Sequence, residues 1–386
     1  MIGSGSFGTR CIHAGEAPDP TTGAHGVPLY QNVTFAFETY GQVEAMRNGD
    51  RPHFTYSPRG NPTVRCLELK IADLEGTEES VAFSSGMAAI SGALLSLLVD
   101  GGHVVASDQL YDLTRAFLRD DLPGFGASAS FVDLSDVSAI QGAITPRTRV
   151  VYVETFSNPL LRVADIRLLA DTAHQRGLVL VVDNTFLSPA LLRPAELGAD
   201  LVLHSATKYL SGNGQVQGGV VSGPRHLVEQ IRSRGLHLGT AMSPFAAWVL
   251  LSGIHTLPLR MRRHSENATQ LAAMLAGHPA VENIHYPGLS CDPGHALAAS
   301  IVGESDNRFG GMIAFSLEGG QSAIGPFLNA LRLCTIAVSL GDSSTLVWPW
   351  PCGNLVRMST GLEDVQDLEA DVLQALNAVV PAMAVD

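Results

Sequence analysis

The sequence predicts an α/β fold: a mostly parallel sheet flanked by helices, followed by a smaller carboxyl-terminal α+β domain. Between about residues 80 and 222, short apolar runs alternate with helical stretches, which is typical of parallel strands joined by crossover helices. After about residue 240 the pattern changes to a long helical region followed by short strands and helices. Hydrophobic residues make up 46% of the 386 residues and charged residues only 16%, so the chain can bury a large core.

The apolar runs divide the chain into three parts: an arm (1–55), an α/β domain (56–240) and an α+β domain (241–386). The arm is predicted to be extended, because proline, glycine and threonine recur there without a sustained period. We expect it to lie against another part of the protein or a neighbouring subunit. Buried strands are predicted at 81–83, 103–106, 150–153, 178–182, 201–204, 219–221, 311–316, 335–339 and 355–359, and helices at 61–75, 86–98, 164–176, 241–276, 321–332 and 363–378.

Lysine is rare in this chain: of the 24 basic residues, only Lys70 and Lys208 are lysines. A general preference for arginine accounts for most of this bias. Arginine cannot form a Schiff base, however, because its guanidinium stays protonated, so a retained lysine is a candidate for lysine-specific chemistry. Lys70 lies within the amphipathic pattern of the predicted helix 61–75, and we expect it to be a solvated helix residue. Lys208 is the stronger candidate.

Composition and charge exclude several classes of protein. The net charge of −13 disfavours nucleic acid and anionic lipid as partners. The five cysteines are scattered without a CxxC pair, so neither a disulfide framework nor a metal site is predicted. No apolar run approaches the roughly 20 residues that span a bilayer, and no signal-peptide pattern is present, so we expect a cytoplasmic protein. Residues 3–8 match GxGxxG without a preceding strand, which leaves dinucleotide binding poorly supported.

Polar residues follow three of the predicted strands. A carboxylate follows 178–182, two hydroxyls and an amine follow 201–204, and a helix start follows 81–83. Ligands bind at the carboxyl ends of strands in such sheets, and helix starts bind phosphate. Pyridoxal 5'-phosphate needs an amine for its aldehyde, a carboxylate for its ring nitrogen and donors for its phosphate. The residues that could supply them are Asp183, Ser205, Thr207, Lys208, Gly86 and Met87.

The segment around Lys208, LHSATKYLSG at 203–212, closely resembles the cofactor-lysine signature of the Cys/Met-metabolism family. That family includes cystathionine γ-synthases, cystathionine and methionine γ-lyases, and O-acylhomoserine sulfhydrylases. The resemblance runs nearly end to end, and it implies the fold type I of pyridoxal-phosphate (PLP) enzymes with PLP as cofactor. The other matching segments are TRCIHAG at 9–15, GNPT at 60–63, SGMAAI at 85–90, VDNT at 182–185, RMS at 357–359 and GLED at 361–364.

The resemblance implies a role for each matching residue at the cofactor. Lys208 would hold PLP as a Schiff base and move protons, and Asp183 would pair with the ring nitrogen. Tyr111 would stack on the ring and assist the leaving group, and Asn158 would contact the 3′-oxygen of the cofactor. The phosphate would be held by Gly86, Met87, Ser205 and Thr207, together with Tyr56 and Arg59.

The resemblance also implies a substrate site and an assembly. Arg357 would grip the substrate α-carboxylate at two points, which suits guanidinium geometry, with Ser339 beside it. Tyr56 would reach the phosphate of a neighbouring subunit, which implies a homo-oligomer: at least a dimer and, as is usual in the family, a tetramer.

Several positions depart from the family pattern. The phosphate-binding arginine stands one residue later than usual, as Arg59, and Phe156 replaces a usual proline. Asp112 and Leu113 follow Tyr111 where relatives often have small residues, and Leu113 disfavours a dedicated methionine γ-lyase. Ser344 stands where many members have a glutamate, and residues 348–351 replace a common histidine–proline segment. The substrate side is therefore predicted to be remodelled, whereas the cofactor side is nearly intact.

The resemblance implies elimination or replacement at Cγ of a homoserine-derived or sulfur-containing amino acid. Both reactions share every step up to their branch point, so the cofactor residues do not separate them. One alternative is O-acylhomoserine sulfhydrylase-type replacement with a non-standard nucleophile. More remote alternatives are a fold type I aminotransferase, which would accumulate the pyridoxamine form, and a catalytically silent binding protein.

Overall fold

The first sheet forms the centre of the amino-terminal part. A computed structural model describes residues 5–50, 53–302, 308–350 and 354–379. Among these residues the sheet has seven strands in the order β1-β7-β6-β5-β4-β2-β3. Neighbouring strands within the group β2 to β6 run parallel to each other, whereas β7 runs antiparallel to both β1 and β6. The predicted mostly parallel sheet is therefore confirmed. The strands are β1 (Glu79–Phe83), β2 (His103–Ser107), β3 (Ser128–Val132), β4 (Thr148–Glu154), β5 (Val179–Asp183), β6 (Leu201–His204) and β7 (Gly219–Gly223).

The central strands are buried on both faces, which explains why they read as continuous apolar runs. Val182 and Val202 enter the core on one face of the sheet, and Val181 and Leu203 enter the core on the other. The α-helices of this part are α1 (Phe7–His13), α2 (Tyr40–Arg47), α3 (Pro62–Glu75), α4 (Gly86–Leu97), α5 (Asp112–Ala116), α6 (Val137–Ala143), α7 (Ile166–His174), α8 (Ser188–Leu191) and α9 (Arg225–Leu238).

The carboxyl-terminal part contains a smaller sheet. Within the described ranges its five strands lie in the order β10-β11-β12-β9-β8. The single helical region predicted at 241–276 is two helices, interrupted at Thr256. The strands are β8 (Val281–His285), β9 (Met312–Leu317), β10 (Thr335–Ile336), β11 (Leu346–Pro349) and β12 (Leu355–Ser359), and the helices are α10 (Pro244–His255), α11 (Leu257–Ala276), α12 (His295–Val302), α13 (Gln321–Ala330) and α14 (Val365–Asn377).

The prediction that Lys70 is a solvated residue is wrong. The α3 helix is present as predicted, but Lys70 is fully buried. Its Nζ donates to the carbonyl oxygens of Cys11 at 2.6 Å and Ile12 at 3.0 Å and lies 2.9 Å from a carboxylate oxygen of Glu16. The face of α3 that carries Lys70 packs on α1, because the arm folds back over it. Helical periodicity alone does not reveal which segment covers a polar position.

Other differences concern elements that the sequence analysis did not predict. The arm is not extended throughout, since it contains α1 and α2. The elements that were not predicted are strands β3, β8 and β11 and helices α5, α6, α8, α9 and α12; β8, for example, is largely polar and has no apolar run. No helix in the described part of the chain is long and apolar enough to cross a membrane. Residues 3 and 4 of the GxGxxG match and residue 351 of the 348–351 segment lie outside the described residues.

Candidate active site

The predicted site lies where the carboxyl ends of β4, β5 and β6 face the carboxyl-terminal part. The backbone N–H of Ser205 donates to the hydroxyl of Thr185 at 2.8 Å, and that hydroxyl donates to Asp183 at 2.5 Å. On the other side, Lys208 contacts Ser339. The structure therefore connects residues that follow two neighbouring strands and joins them to the smaller sheet.

Lys208 is a partly buried amine with a neutral hydrogen-bond partner. Its Nζ donates to the Ser339 hydroxyl at 2.7 Å. Burial and the nearby Arg357 cation lower the pKa of Lys208 to about 8. Only the neutral amine condenses with an aldehyde or accepts a proton, so this pKa makes Lys208 reactive at a pH where an ordinary lysine is charged. Ser339 itself has a φ of +86°, a region that non-glycine residues seldom occupy and that is common at functional sites.

Arg357 extends the same contact network. Its Nη1 donates to Asn158 Oδ1 at 2.9 Å, and its Nη2 donates to the carbonyl oxygen of Ser339 at 3.0 Å. The residue is only 7% exposed. A guanidinium carries more N–H groups than these two bonds use, so Arg357 can still bind a carboxylate. Because the amide oxygen of Asn158 accepts this bond from Arg357, the amide N–H groups of Asn158 can still donate to the 3′-oxygen of PLP, as predicted.

Glu154, which was not among the predicted site residues, holds two of them in place. Its two carboxylate oxygens accept the backbone N–H groups of Tyr111 at 2.6 Å and Asn158 at 3.2 Å. Glu154 lies opposite Asp183 in the β4–β5 register, and burial followed by the charge of Asp183 raises the pKa of Glu154 to about 8. The sequence could have identified Glu154 as a site residue, because Glu154 directly follows the apolar run 150–153 in the same way that Asp183 follows the run 178–182.

Asp183 provides a carboxylate that is suited to a cationic partner. Burial raises the pKa of its carboxyl, while hydrogen bonds from the hydroxyl and backbone N–H of Thr185 and the charge of His204 lower it. The hydrogen-bonding groups are neutral, so they leave the negative charge without a neutralising cation in direct contact. A protonated ring nitrogen would relieve this, because an opposite charge stabilises a buried ionised carboxylate.

The start of α4 forms a close-fitting cradle with the loop after β6. A Cβ atom added at Gly86 would lie 2.9 Å from the Ser205 hydroxyl oxygen, so a larger residue would fill the space. The first N–H groups of a helix, here those of Gly86 and Met87, have no intrahelical partner and lie at its positive end. The Thr207 hydroxyl donates to Gly218 O at 3.2 Å and accepts from Gly218 N at 3.0 Å, which fixes the loop.

Tyr111 stands at the entrance to the site, immediately before α5, and its side chain is 39% exposed. Burial and the neighbouring Asp112 raise the pKa of the Tyr111 phenol, while Arg357 lowers it. The phenol therefore stays protonated at neutral pH and can act as a proton donor. Its exposed ring face is available for stacking.

Tyr56 and Arg59 are the predicted site residues that the structure does not bring to Lys208. Tyr56 is 44% exposed, and Arg59 ends an exposed 3₁₀ turn at Ser57–Arg59. Arg59 lines a cavity of about 380 Å³ together with Arg65 and Arg232, and Lys208 is not part of that lining. In the described ranges, no group of three or more histidine, cysteine, aspartate or glutamate residues could hold a metal ion.

Comparison with known proteins gives the family. A model of the family described as Cys/Met metabolism PLP-dependent enzyme matches residues 8–352. The chain belongs to this family. An L-methionine gamma-lyase from Pseudomonas putida is 45% identical to it over 96% of this chain and 97% of that protein. A cystathionine gamma-synthase from Mycobacterium bovis is 41% identical over 95% of this chain and 96% of that protein.

A solved structure from Campylobacter jejuni subsp. jejuni supports the fold and the cofactor. It has a TM-score of 0.91 and 29% sequence identity, it covers 97% of this chain and 100% of that chain, and it contains N'-pyridoxyl-lysine-5'-monophosphate. The chain is thus a PLP-dependent enzyme of fold type I. The residues present fit the cofactor: a Cβ atom at Gly86 would fill the cradle in which a phosphate would bind, Asp183 is a buried carboxyl that could pair with the ring nitrogen, and Lys208 is an amine with a lowered pKa.

Proposed function

We propose that this protein catalyses elimination or replacement at Cγ of a homoserine-derived or sulfur-containing amino acid. One observation carries the proposal: Ser339 binds Lys208 through its hydroxyl and Arg357 through its carbonyl. An amino acid held by its carboxylate at Arg357 therefore has its Cα and Cβ close to a lysine that can move protons. PLP, when bound, withdraws electrons and stabilises negative charge at the carbon next to the substrate nitrogen.

The proposed roles follow from the chemistry of each side chain. Arg357 would bind the α-carboxylate, and the neutral amine of Lys208 would take the proton of Cα. Lys208 would pass that proton on to C4′ of the bound cofactor and, neutral again, would take a proton of Cβ. Tyr111, whose phenol stays protonated, donates a proton to the group that leaves Cγ. Asp183 holds the proton on the ring nitrogen, and Glu154 fixes the backbone of Tyr111 and Asn158.

The two outcomes differ only after the Cγ bond has broken. In elimination the Cγ substituent leaves with a proton, as a thiol or a carboxylic acid, and water then releases a 2-oxo acid and ammonia. In replacement a thiol adds at Cγ and the new amino acid is released. The relative named L-methionine gamma-lyase favours elimination from a sulfur amino acid, and the relative named cystathionine gamma-synthase favours replacement. Leu113, half-exposed beside Tyr111, argues against a dedicated methionine γ-lyase.

A substrate panel tests the proposal. The purified holoenzyme is given methionine, cystathionine, homocysteine, O-acetylhomoserine or O-succinylhomoserine, with and without an added thiol. Release of a 2-oxo acid without a second substrate supports elimination, and turnover that depends on the thiol supports replacement. Absence of turnover with every compound contradicts the proposal, and accumulation of the pyridoxamine form indicates an aminotransferase instead.

We also propose a cytoplasmic homo-oligomer, at least a dimer and expected to be a tetramer, in which Tyr56 and Arg59 hold the phosphate of a neighbouring subunit. Both residues are exposed and lie apart from the Lys208 group of their own chain. Mixing inactive Lys208→Ala chains with weakly active Tyr56→Ala chains tests this arrangement. Hybrid oligomers would contain one intact site, so the mixture should be more active than its two components together. A mixture whose activity equals the sum of the two separate activities contradicts the shared site.

A further inference from the structure

Trp350 lies against the predicted carboxylate-binding arginine. The guanidinium carbon of Arg357 stands 5.5 Å from the centre of the Trp350 ring, within the distance at which a cation interacts favourably with an indole. The backbone of Trp350 is anchored next to β12, because its N–H donates to the carbonyl oxygen of Leu355 at 2.8 Å. Leu355 begins the strand that carries Arg357, so this bond ties the residue that carries the ring to the strand that carries the arginine.

Arg357 is contacted by two hydrogen-bond acceptors and by an aromatic ring. Asn158 and Ser339 accept hydrogen bonds from the two terminal nitrogens, and such bonds lie near the guanidinium plane. The guanidinium carbon lies over the face of the Trp350 ring. A planar cation with these three contacts offers a carboxylate a restricted approach, through the remaining N–H groups.

We propose that Trp350 is a positioning residue for substrate recognition: its ring holds the Arg357 guanidinium in the orientation that receives the α-carboxylate. This rests on the role of Arg357 in the proposed function. The ring need not contact the substrate to have this effect. Because a desolvated cation–π contact strengthens with the loss of water, the ring and the buried arginine support each other.

A purely structural role for Trp350 makes a different prediction. If the ring only stabilised the packing next to β12, its removal would weaken the fold without regard to the chemical groups of a ligand. A positioning role instead acts on ligands that carry a carboxylate and spares those that lack one. Two small ligands separate these cases: butanoate, which has a carboxylate and no amine, and propylamine, which has an amine and no carboxylate.

The experiment titrates the holoenzyme and its variants with each ligand, using calorimetry for butanoate and the cofactor absorbance for propylamine. Trp350→Leu removes the aromatic face, and Trp350→Phe keeps a smaller one. Trp248→Leu is the matched control, because Trp248 lies on α10 and its indole N–H donates to Val27 in the arm. We expect Trp350→Leu to weaken butanoate binding about tenfold, Trp350→Phe about threefold, and Trp248→Leu less than twofold.

Propylamine binding is expected to stay within twofold of the wild type in all three variants. Equal weakening of butanoate and propylamine, or unchanged butanoate binding in Trp350→Leu, overturns the proposal. If Trp350→Leu does not fold, the threefold selective loss in Trp350→Phe decides the question. Butanoate binding does not require turnover, so the substrate panel can fail, and the proposed function with it, while this measurement still supports or rejects the role of Trp350.

Discussion

Lys70 is fully buried and Lys208 is partly buried, and the two amines differ in the number and charge of their partners. Lys70 contacts two backbone carbonyl oxygens and the carboxylate of Glu16. Lys208 contacts one neutral hydroxyl, that of Ser339, and its charged neighbour is the cation of Arg357. Burial lowers the pKa of both, and Glu16 opposes the effect only at Lys70.

The difference explains how one residue type can serve two purposes in one chain. Three oxygens satisfy the three N–H groups of Lys70, so its charge is compensated and it joins the end of α1 to α3. Among the residues that the structure describes, no anionic group pairs with Lys208, and its neutral form is therefore favoured. Burial alone does not make a lysine reactive; the groups around it decide whether it keeps its proton.

The largest expected effect is the loss of catalysis in Lys208→Ala. Removing the amine that binds PLP and moves protons should lower turnover by at least about 10²- to 10⁴-fold. Borohydride reduction of the wild-type holoenzyme, followed by peptide mapping, should place the cofactor on Lys208. The control is Lys70→Met, which should still be labelled at Lys208. Labelling of Lys70 would contradict the assignment.

Lys70→Met should instead lower the free energy of unfolding, by about 3–5 kcal/mol, because it removes the buried cation that pairs with two carbonyl oxygens and with Glu16, which keeps its contact with His255. Denaturant unfolding of the holoenzyme measures the change. Arg119→Met is the matched control, since Arg119 forms an exposed ion pair with Asp120 and its loss should leave the free energy of unfolding nearly unchanged. Similar losses in both variants would show that Lys70 is not the structural cation described above.

The pH dependence of cofactor binding should report the pKa of Lys208. Its lowered value of about 8 means that the neutral amine becomes abundant as the pH rises through 8, rather than through about 10.4 as for an ordinary lysine. The rate at which the apoenzyme takes up PLP should therefore rise with pH and level off above about pH 8. A rate that keeps rising to pH 10 would contradict the lowered pKa.

Ser339→Asp should make the surroundings of Lys208 resemble those of Lys70. A carboxylate at this distance is expected to raise the pKa of Lys208 by about one to two units and to move the midpoint of PLP uptake upward by the same amount. Aspartate tolerates positive φ better than most residues, which suits the backbone at 339. Ser339→Ala, which removes the hydroxyl without adding charge, is the control. Equal midpoints in the two variants would show that partner charge does not control Lys208.

Much of the cofactor side of the site could be predicted from the sequence, because local rules apply to it. An apolar run followed by a polar residue indicates the end of a buried strand, and this rule located Asp183 and Lys208. The same rule applied to Glu154, but it was not used there. The burial of Lys70 could not be predicted from α3 itself, because it depends on where the arm returns.

The sequence by itself determined which chemical groups stand at the strand ends and in which order, since alternation of apolar and polar residues acts over a few neighbours. Only the tertiary structure decided how they meet. The contact between Lys208 and Ser339 joins residues 131 positions apart, and that between Asn158 and Arg357 joins residues 199 positions apart. The pKa of Lys208 and the orientation of Arg357 depend on these distant partners, because electrostatic and cation–π interactions follow distance in space and not distance along the chain.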